Sequence, residues 1–156
     1  MSFFVPEALN IFTSAGKALQ VMVDWRRRAR GDVRAIVMEL EENYTYLRMV
    51  AFDEVPLGDV IQDIATAEYK RLAHEGYNFN NLSRHKIKHD PSFEGTQMAT
   101  WIGKSTEDLI DSIYKKISEL KIIYPHNKNN EKYRWGVRVQ NIIKQIWLLL
   151  KHVQGI

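Results

Sequence analysis

The chain has no cysteine among its 156 residues. That excludes disulfides, thiolate metal sites and cysteine nucleophiles, and it fits a reducing, cytoplasmic setting. Proline and glycine are sparse, at four and eight residues. Long apolar runs are absent as well. The most apolar windows are 3–25, broken by Glu7, Lys17 and Asp24, and 137–156, broken by Arg138, Lys144 and Lys151. Neither reads as a transmembrane segment. The start, MSFFVPEALN, lacks the basic opening and sustained apolar stretch of a secretory signal.

What the chain does have is helical periodicity. A seam steps by four and three through Ala8, Phe12, Ala15, Leu19, Met22, Arg26, Ala29, Val33, Ile36, Leu40, Asn43, Leu47 and Val50. Only Arg26 and Asn43 interrupt its apolar character. A mean step near 3.5 residues keeps one helix face turned toward a partner. Pro6 suits a first helical turn with Glu7 at its positive end. The first helix is therefore expected from there to about Phe52, in two segments joined at 30–32, where Gly31 weakens it by about 1 kcal/mol relative to alanine. Asn43 in the seam would fix helix register or hydrogen-bond to a tyrosine of another helix.

Pro56 and Gly58 mark a turn. A second helix, Leu57 to His74, follows with Leu57, Val60, Ile61, Ile64, Ala67 and Leu72 on its apolar face. Residues 77–104 are rich in turn formers, with Tyr77, Phe79, Phe93 and Trp101 expected to pin them down and a short helical turn expected near 82–89 or 96–102. Ser105 and Asp108 read as a helix start. The third helix runs to about Ile123, Pro125–Asn130 is a polar break, and the fourth helix covers Glu131 to Val153, with Lys151 and His152 where the dipole favours cations. The expected fold class is all-α: a single helical domain over 1–156, a four-helix bundle with a long or bent N-terminal helix, in which 1–30 is an amphipathic arm and 31–156 the bundle.

The net charge of +3 hides an asymmetry. Residues 31–76 carry four basic and ten acidic side chains, whereas 121–156 carry seven basic and one acidic. Either an acidic helix lies beside a basic one, or a basic face awaits an anionic partner. Two clusters fit the second view. Trp25, Arg26, Arg27, Arg28 and Arg30 follow a segment carrying Phe3, Phe4 and Phe12, as in helices that lie on anionic membranes. Arg134, Trp135 and Arg138 interleave basic and aromatic character, as RNA-binding surfaces do, although Trp135 also falls on the apolar stripe.

Motifs for catalysis are few. Gly103-Lys104-Ser105 lacks the earlier glycine of a phosphate loop, because Met98 stands there. No histidine has an acid three residues before it, which removes the Glu-x-x-His pairs of di-iron bundles. Glu39 and Glu42 resemble the first half of the magnesium motif of MazG-type pyrophosphatases, but Asp59 and Asp63 do not supply the second. His85, His89 and Asp90 have zinc-binding chemistry, which Lys86 and Lys88 oppose, so no metal and no cofactor is expected. Arg84-His85-Lys86-Ile87-Lys88-His89 resembles the Arg-polar-x-x-x-His signature of the HEPN helical-bundle ribonucleases, over six residues. The family carries it on a core helix, whereas Asp90-Pro91 here favours a loop. That resemblance implies a composite RNA-cleaving site across a dimer, with Arg84 stabilising phosphate charge and His89 as acid or base.

The leading expectation is a small cytoplasmic interaction protein without a catalytic site, working through helix packing as a homodimer or other homo-oligomer, or on a partner helix, through residues 1–30. The alternatives are a HEPN-like RNA-binding protein or metal-independent ribonuclease using Arg84 and His89, and a peripheral protein on an anionic membrane surface.

Overall fold

Gly31 divides the long seam into two helices. The computed structural model describes residues 15–154, so Pro6, Ala8 and Phe12 lie outside the described residues. Helix α1 spans Ala15–Arg28 and α2 spans Gly31–Phe52. Gly31 adopts φ +57°, a left-handed conformation that glycine takes without a side-chain clash, and Arg30 before it is extended. The two helices fold back on each other as a hairpin. Arg34 donates to the Arg26 carbonyl at 3.0 Å, and Arg30 donates to the carbonyls of Arg27 and Ala29 at 2.8 and 2.9 Å. The arginine run thus supplies the donors that the last turn of α1 needs.

The seam holds through α2, where Ile36, Leu40, Asn43, Leu47 and Val50 are all buried. In α1 the buried line departs from the seam at two positions: Ala18 and Trp25 face inward in place of Leu19 and Arg26, while Met22 and Ala29 keep their seam places. Burying Met22 and Trp25 contributes on the order of 2 kcal/mol each. It seats α1 against both α2 and the last helix. Residues 15–28 are therefore part of the helical core and not an arm projecting from it.

The expected second helix is instead two short ones, α3 at Leu57–Val60 and α4 at Ala67–His74, separated by a turn. Helix α5 spans Thr106–Asn127 and α6 spans Trp135–Gln154. Side chains from α2 and α5 make the break after α3 tenable. Asn43, fully buried, donates to the Ala65 carbonyl at 2.7 Å and accepts from the Ala65 N–H at 2.8 Å. Glu39, one turn earlier on α2, accepts from the N–H groups of Glu68 and Tyr69 at 2.7 and 3.2 Å. It caps α4, whose own N-cap, Thr66, makes no capping bond. Lys121 of α5 donates to the carbonyls of Ile61 and Ile64. Asn43 thus pairs with loop backbone and not with a tyrosine.

Ser105 and Asp108 close a reciprocal capping box at the start of α5. That helix runs through Pro125 to Asn127, past its expected end, because a proline so near the terminus removes only the bond to the Lys121 carbonyl. Its buried stripe is Leu109, Ile110, Ile113, Ile117 and Leu120; that of α6 is Val139, Ile142, Ile143, Ile146 and Leu150, widened by Leu148 and Leu149. Helix α6 packs on α1, α2 and α5. Among the described residues every regular element is helical, and the buried side chains form one core cluster. No described helix is long and apolar enough to cross a membrane.

Residues 77–104 are pinned by Phe79, Ile87 and Phe93, all buried. Three 3-10 turns, Phe79–Asn81, Pro91–Phe93 and Gln97–Trp101, each begin with a side chain, Asn78, Asp90 or Thr96, accepting from the N–H two residues on. Segment 82–89 is not helical. Ile87 donates to the Lys104 carbonyl at 2.9 Å and accepts from the Gly103 N–H at 2.8 Å, closing residues 88–102 into a loop.

Candidate functional site

The two sequence-predicted sites fare differently from a third surface. In the first, the arginine cluster, Trp25 is 6% exposed and belongs to the core. Arg26 pairs with Glu41 of α2 at 2.6 Å. Arg28 donates to Gln154 at the end of α6, and Arg30 closes the end of α1. Arg27 is exposed. Most of this cluster holds helix ends together, so it is not a ready-made anion patch.

In the second, Arg84 and His89 lie on exposed, non-helical backbone. His89 faces Glu94 at 3.7 Å. His89 lines a depression with His85, Lys88, Lys151 and His152, and Arg84 does not. Among the described residues no three histidine, cysteine, aspartate or glutamate side chains are grouped to hold a metal ion.

The third surface is one face of α6. Arg138, Asn141, Lys144, Gln145, Leu148, Lys151 and His152 recur at helical spacing and line three adjoining depressions. From Arg138 to His152 they extend roughly 20 Å at 1.5 Å per residue. The first depression is small and lies between Arg138, Asn141 and Ile142 of α6 and Lys116 and Glu119 of α5. The second, of about 300 Å³, is walled by Lys116, Lys144, the Thr96–Trp101 segment and the Ser112–Gln145 hydrogen bond of 3.0 Å. The third, of about 320 Å³, lies where loop 85–93 crosses the end of α6. Volumes of this size sit at the low end for small-molecule sites.

Aromatic rings and cations interleave along this surface. Arg138 lies 5.4 Å from the Tyr133 ring and 5.8 Å from Trp135, two rings stacked at 5.1 Å. Lys104 sits 4.7 Å over Trp101, and Lys151 lies 5.6 Å from Phe93. Arg134 holds a left-handed φ of +47° in the turn that brings Tyr133 back beside Trp135. The sequence singled out Arg134, Trp135 and Arg138. It missed Lys116, Lys144 and Trp101, although the spacing of Arg138, Lys144 and Lys151 by six and seven was a legible sign of one helix face.

The electrostatics of the third depression are set by two chains of contacts. Lys151 donates to Asp90 at 2.7 Å, and Asp90 also accepts from the Ser92 N–H and hydroxyl at 2.8 and 2.7 Å. These contacts, Lys151 foremost, hold the Asp90 carboxyl well below the usual carboxylate range. Thr106, fully buried, donates its hydroxyl proton to the Ser83 carbonyl at 2.7 Å and so accepts from Nε2 of His152 at 2.8 Å. Burial first, then the positive neighbours His85 and Lys88, pull the His152 pKa down.

The core tyrosines are chemically quiet. Tyr114 is fully buried and stacks on Tyr69 at 4.3 Å, and Tyr69 donates to Asp111 at 2.8 Å. Burial and the nearby Glu39 charge push the Tyr114 pKa well up, and burial lifts that of Tyr44 to about 12. Those phenols stay protonated at any ordinary pH. Comparison of the chain with known protein families, with curated proteins and with solved structures finds no match.

Proposed function

We propose that this chain binds single-stranded nucleic acid along the α6 face, with the four long helices acting as a bundle that holds that face rigid. The observation that carries the reading is the run of three depressions along one helix face, edged by Lys88, Lys116, Arg138, Lys144 and Lys151, with Trp101 and Phe93 in their linings and Arg138 reaching toward the rings of Tyr133 and Trp135. Phosphates meet the cations, and bases meet the half-buried rings of Trp101, Tyr133 and Trp135, where each stacked base is worth about 1–3 kcal/mol.

A lipid surface is a poorer fit. The exposed large apolar residues among those described, Met38, Ile102, Ile122 and Val137, are scattered over different elements and form no apolar face. Binding is favoured over cleavage because Nε2 of His152 is tied to Thr106, His89 faces Glu94, and Arg84 lies outside the depression. A second reading, self-association, is favoured by the opposite charges of 31–76 and 121–156.

Anisotropy of a short labelled oligonucleotide tests the first reading. Neutralising about four phosphates gives log K a slope of about −3 against log salt. The double variant Lys88→Glu, Lys116→Glu lowers affinity by at least about tenfold without loss of helical circular dichroism. No binding at low salt, or a variant that binds like the parent, overturns it. Light scattering on the same samples reads the mass, and a dimer whose formation blocks the oligonucleotide moves the assignment to self-association. Strand cleavage that disappears in Arg84→Ala, His89→Ala moves it to a nuclease.

A further inference from the structure

We infer that the depression at the C-terminal end of α6 takes a terminal phosphomonoester, so that the groove recognises the end of a phosphorylated strand. The inference rests on the nucleic-acid reading above and adds where the strand stops. Loop 85–93 and the end of α6, through Leu148, Lys151 and His152, line this depression together. In the proposed mode a strand lying along α6 ends against that loop.

The pocket's chemistry suits a compact dianion. Its polar lining is His85, Lys88, His89, Asp90, Lys151 and His152, over a floor of Ile87, Phe93 and Leu148. The one carboxylate in that lining is already matched by Lys151 at 2.7 Å and by two donors from Ser92. Nε2–H of His152 is donated to Thr106, so in the neutral ring Nδ1 is an acceptor, and Lys88, His85 and His89 are the groups left to donate to a ligand. The carbonyl end of α6 opposes an anion, but the positive end of α5 meets it at the Thr106–His152 contact, so the two helix dipoles offset each other. What remains is Lys88 with the exposed imidazoles of His85 and His89 around a cavity of about 320 Å³. A bridging phosphodiester carries one charge. A terminal monoester carries nearly two at neutral pH and presents three acceptor oxygens, so it gains more from this cluster. Two lysines in the same ring disfavour a metal ion as the occupant.

The test compares oligonucleotides of one sequence bearing a 5′-phosphate, a 3′-phosphate or hydroxyls at both ends, by anisotropy with the full chain. One phosphorylated form is expected to bind about tenfold tighter than the hydroxyl form, the effect of one charge-assisted hydrogen bond. Lys88→Ala with His89→Ala, both exposed, is expected to abolish that preference while the hydroxyl strand still binds. Equal affinity of all three strands overturns this inference and leaves the groove reading intact. No binding by any strand overturns both. Sedimentation with vesicles containing phosphatidic acid, in preference to any strand, assigns the pocket to a lipid headgroup and overturns the strand-end inference.

Discussion

The α2–α4 side and the α6 face carry charge of opposite sign and use it differently. On the acidic side, Glu39 caps α4, Glu41 pairs with Arg26, and Asp32, Glu68 and Glu75 surround Arg71 at 3.3, 2.9 and 3.1 Å. These carboxylates act on the chain itself. On the α6 face, Arg138 and Lys104 lie over aromatic rings and Lys116 edges two depressions. The net charge of a segment thus says little about its role. Arg138 donates to the Tyr133 carbonyl at 2.8 Å and Lys151 to Asp90 at 2.7 Å, so what distinguishes this surface is that its cations border open depressions even where they have partners.

The sharpest way to break this comparison is at Asn43. Replacing it by alanine leaves both the N–H and the carbonyl of Ala65 without their partner, beside a side chain that was fully buried. At about 1–3 kcal/mol for each unsatisfied group, the expected loss is about 3 kcal/mol, read from the midpoint of a denaturant titration. A loss below about 1 kcal/mol would mean that the turn after α3 finds other partners and that α2 does not hold it.

A smaller effect comes from Glu39→Gln, which keeps one acceptor oxygen and puts an NH2 donor where the second oxygen accepted from α4. The expected loss is about 2 kcal/mol, from one N–H left without its acceptor and from the lost charge. Affinity for an oligonucleotide is expected to stay at the parent value, because Glu39 lies on the structural side. A change in affinity larger than the change in stability would erase the distinction between the two sides. Lys88→Glu with Lys116→Glu is the mirror case, expected to change affinity and leave stability nearly unchanged.

How much of this was legible in the sequence follows from which forces are local. The α2 seam, the α5 capping box and the α6 stripe are set by periodicity and near-neighbour chemistry, and the sequence shows them directly. The expected helix from Leu57 to His74 fails at Ile61–Thr66, because the side chains that stabilise the break come from Glu39, Asn43 and Lys121, between 22 and 60 residues away. Asn43 was visible as an interruption of the seam, yet only the fold supplies its partner. In α1 the seam was misread at two positions, Leu19 for Ala18 and Arg26 for Trp25, and at the second, burying the indole in place of a guanidinium settles it. The candidate site was the least legible. The sequence offered Arg84 and His89 as one short motif, and the fold groups His85 and His89 with Lys151 and His152, more than sixty residues further on.

The smallest expected effect tests that grouping without any ligand. The pKa of His152 is lowered in the folded chain by burial and by His85 and Lys88. The unfolded chain therefore binds more protons in the window below the ordinary histidine value of about 6.5. The stability that follows from this is fully present above that value and is lost as pH falls through the folded pKa. His152→Gln keeps a donor for Thr106 and removes the titration, so its stability should depend less on pH between roughly 5 and 7, by less than one proton's worth of slope. Denaturant midpoints across that range, parent against variant, measure the difference. Parallel curves would mean that neither burial nor the neighbouring His85 and Lys88 shifts this ring, and the third depression would lose its claim to be an electrostatic unit.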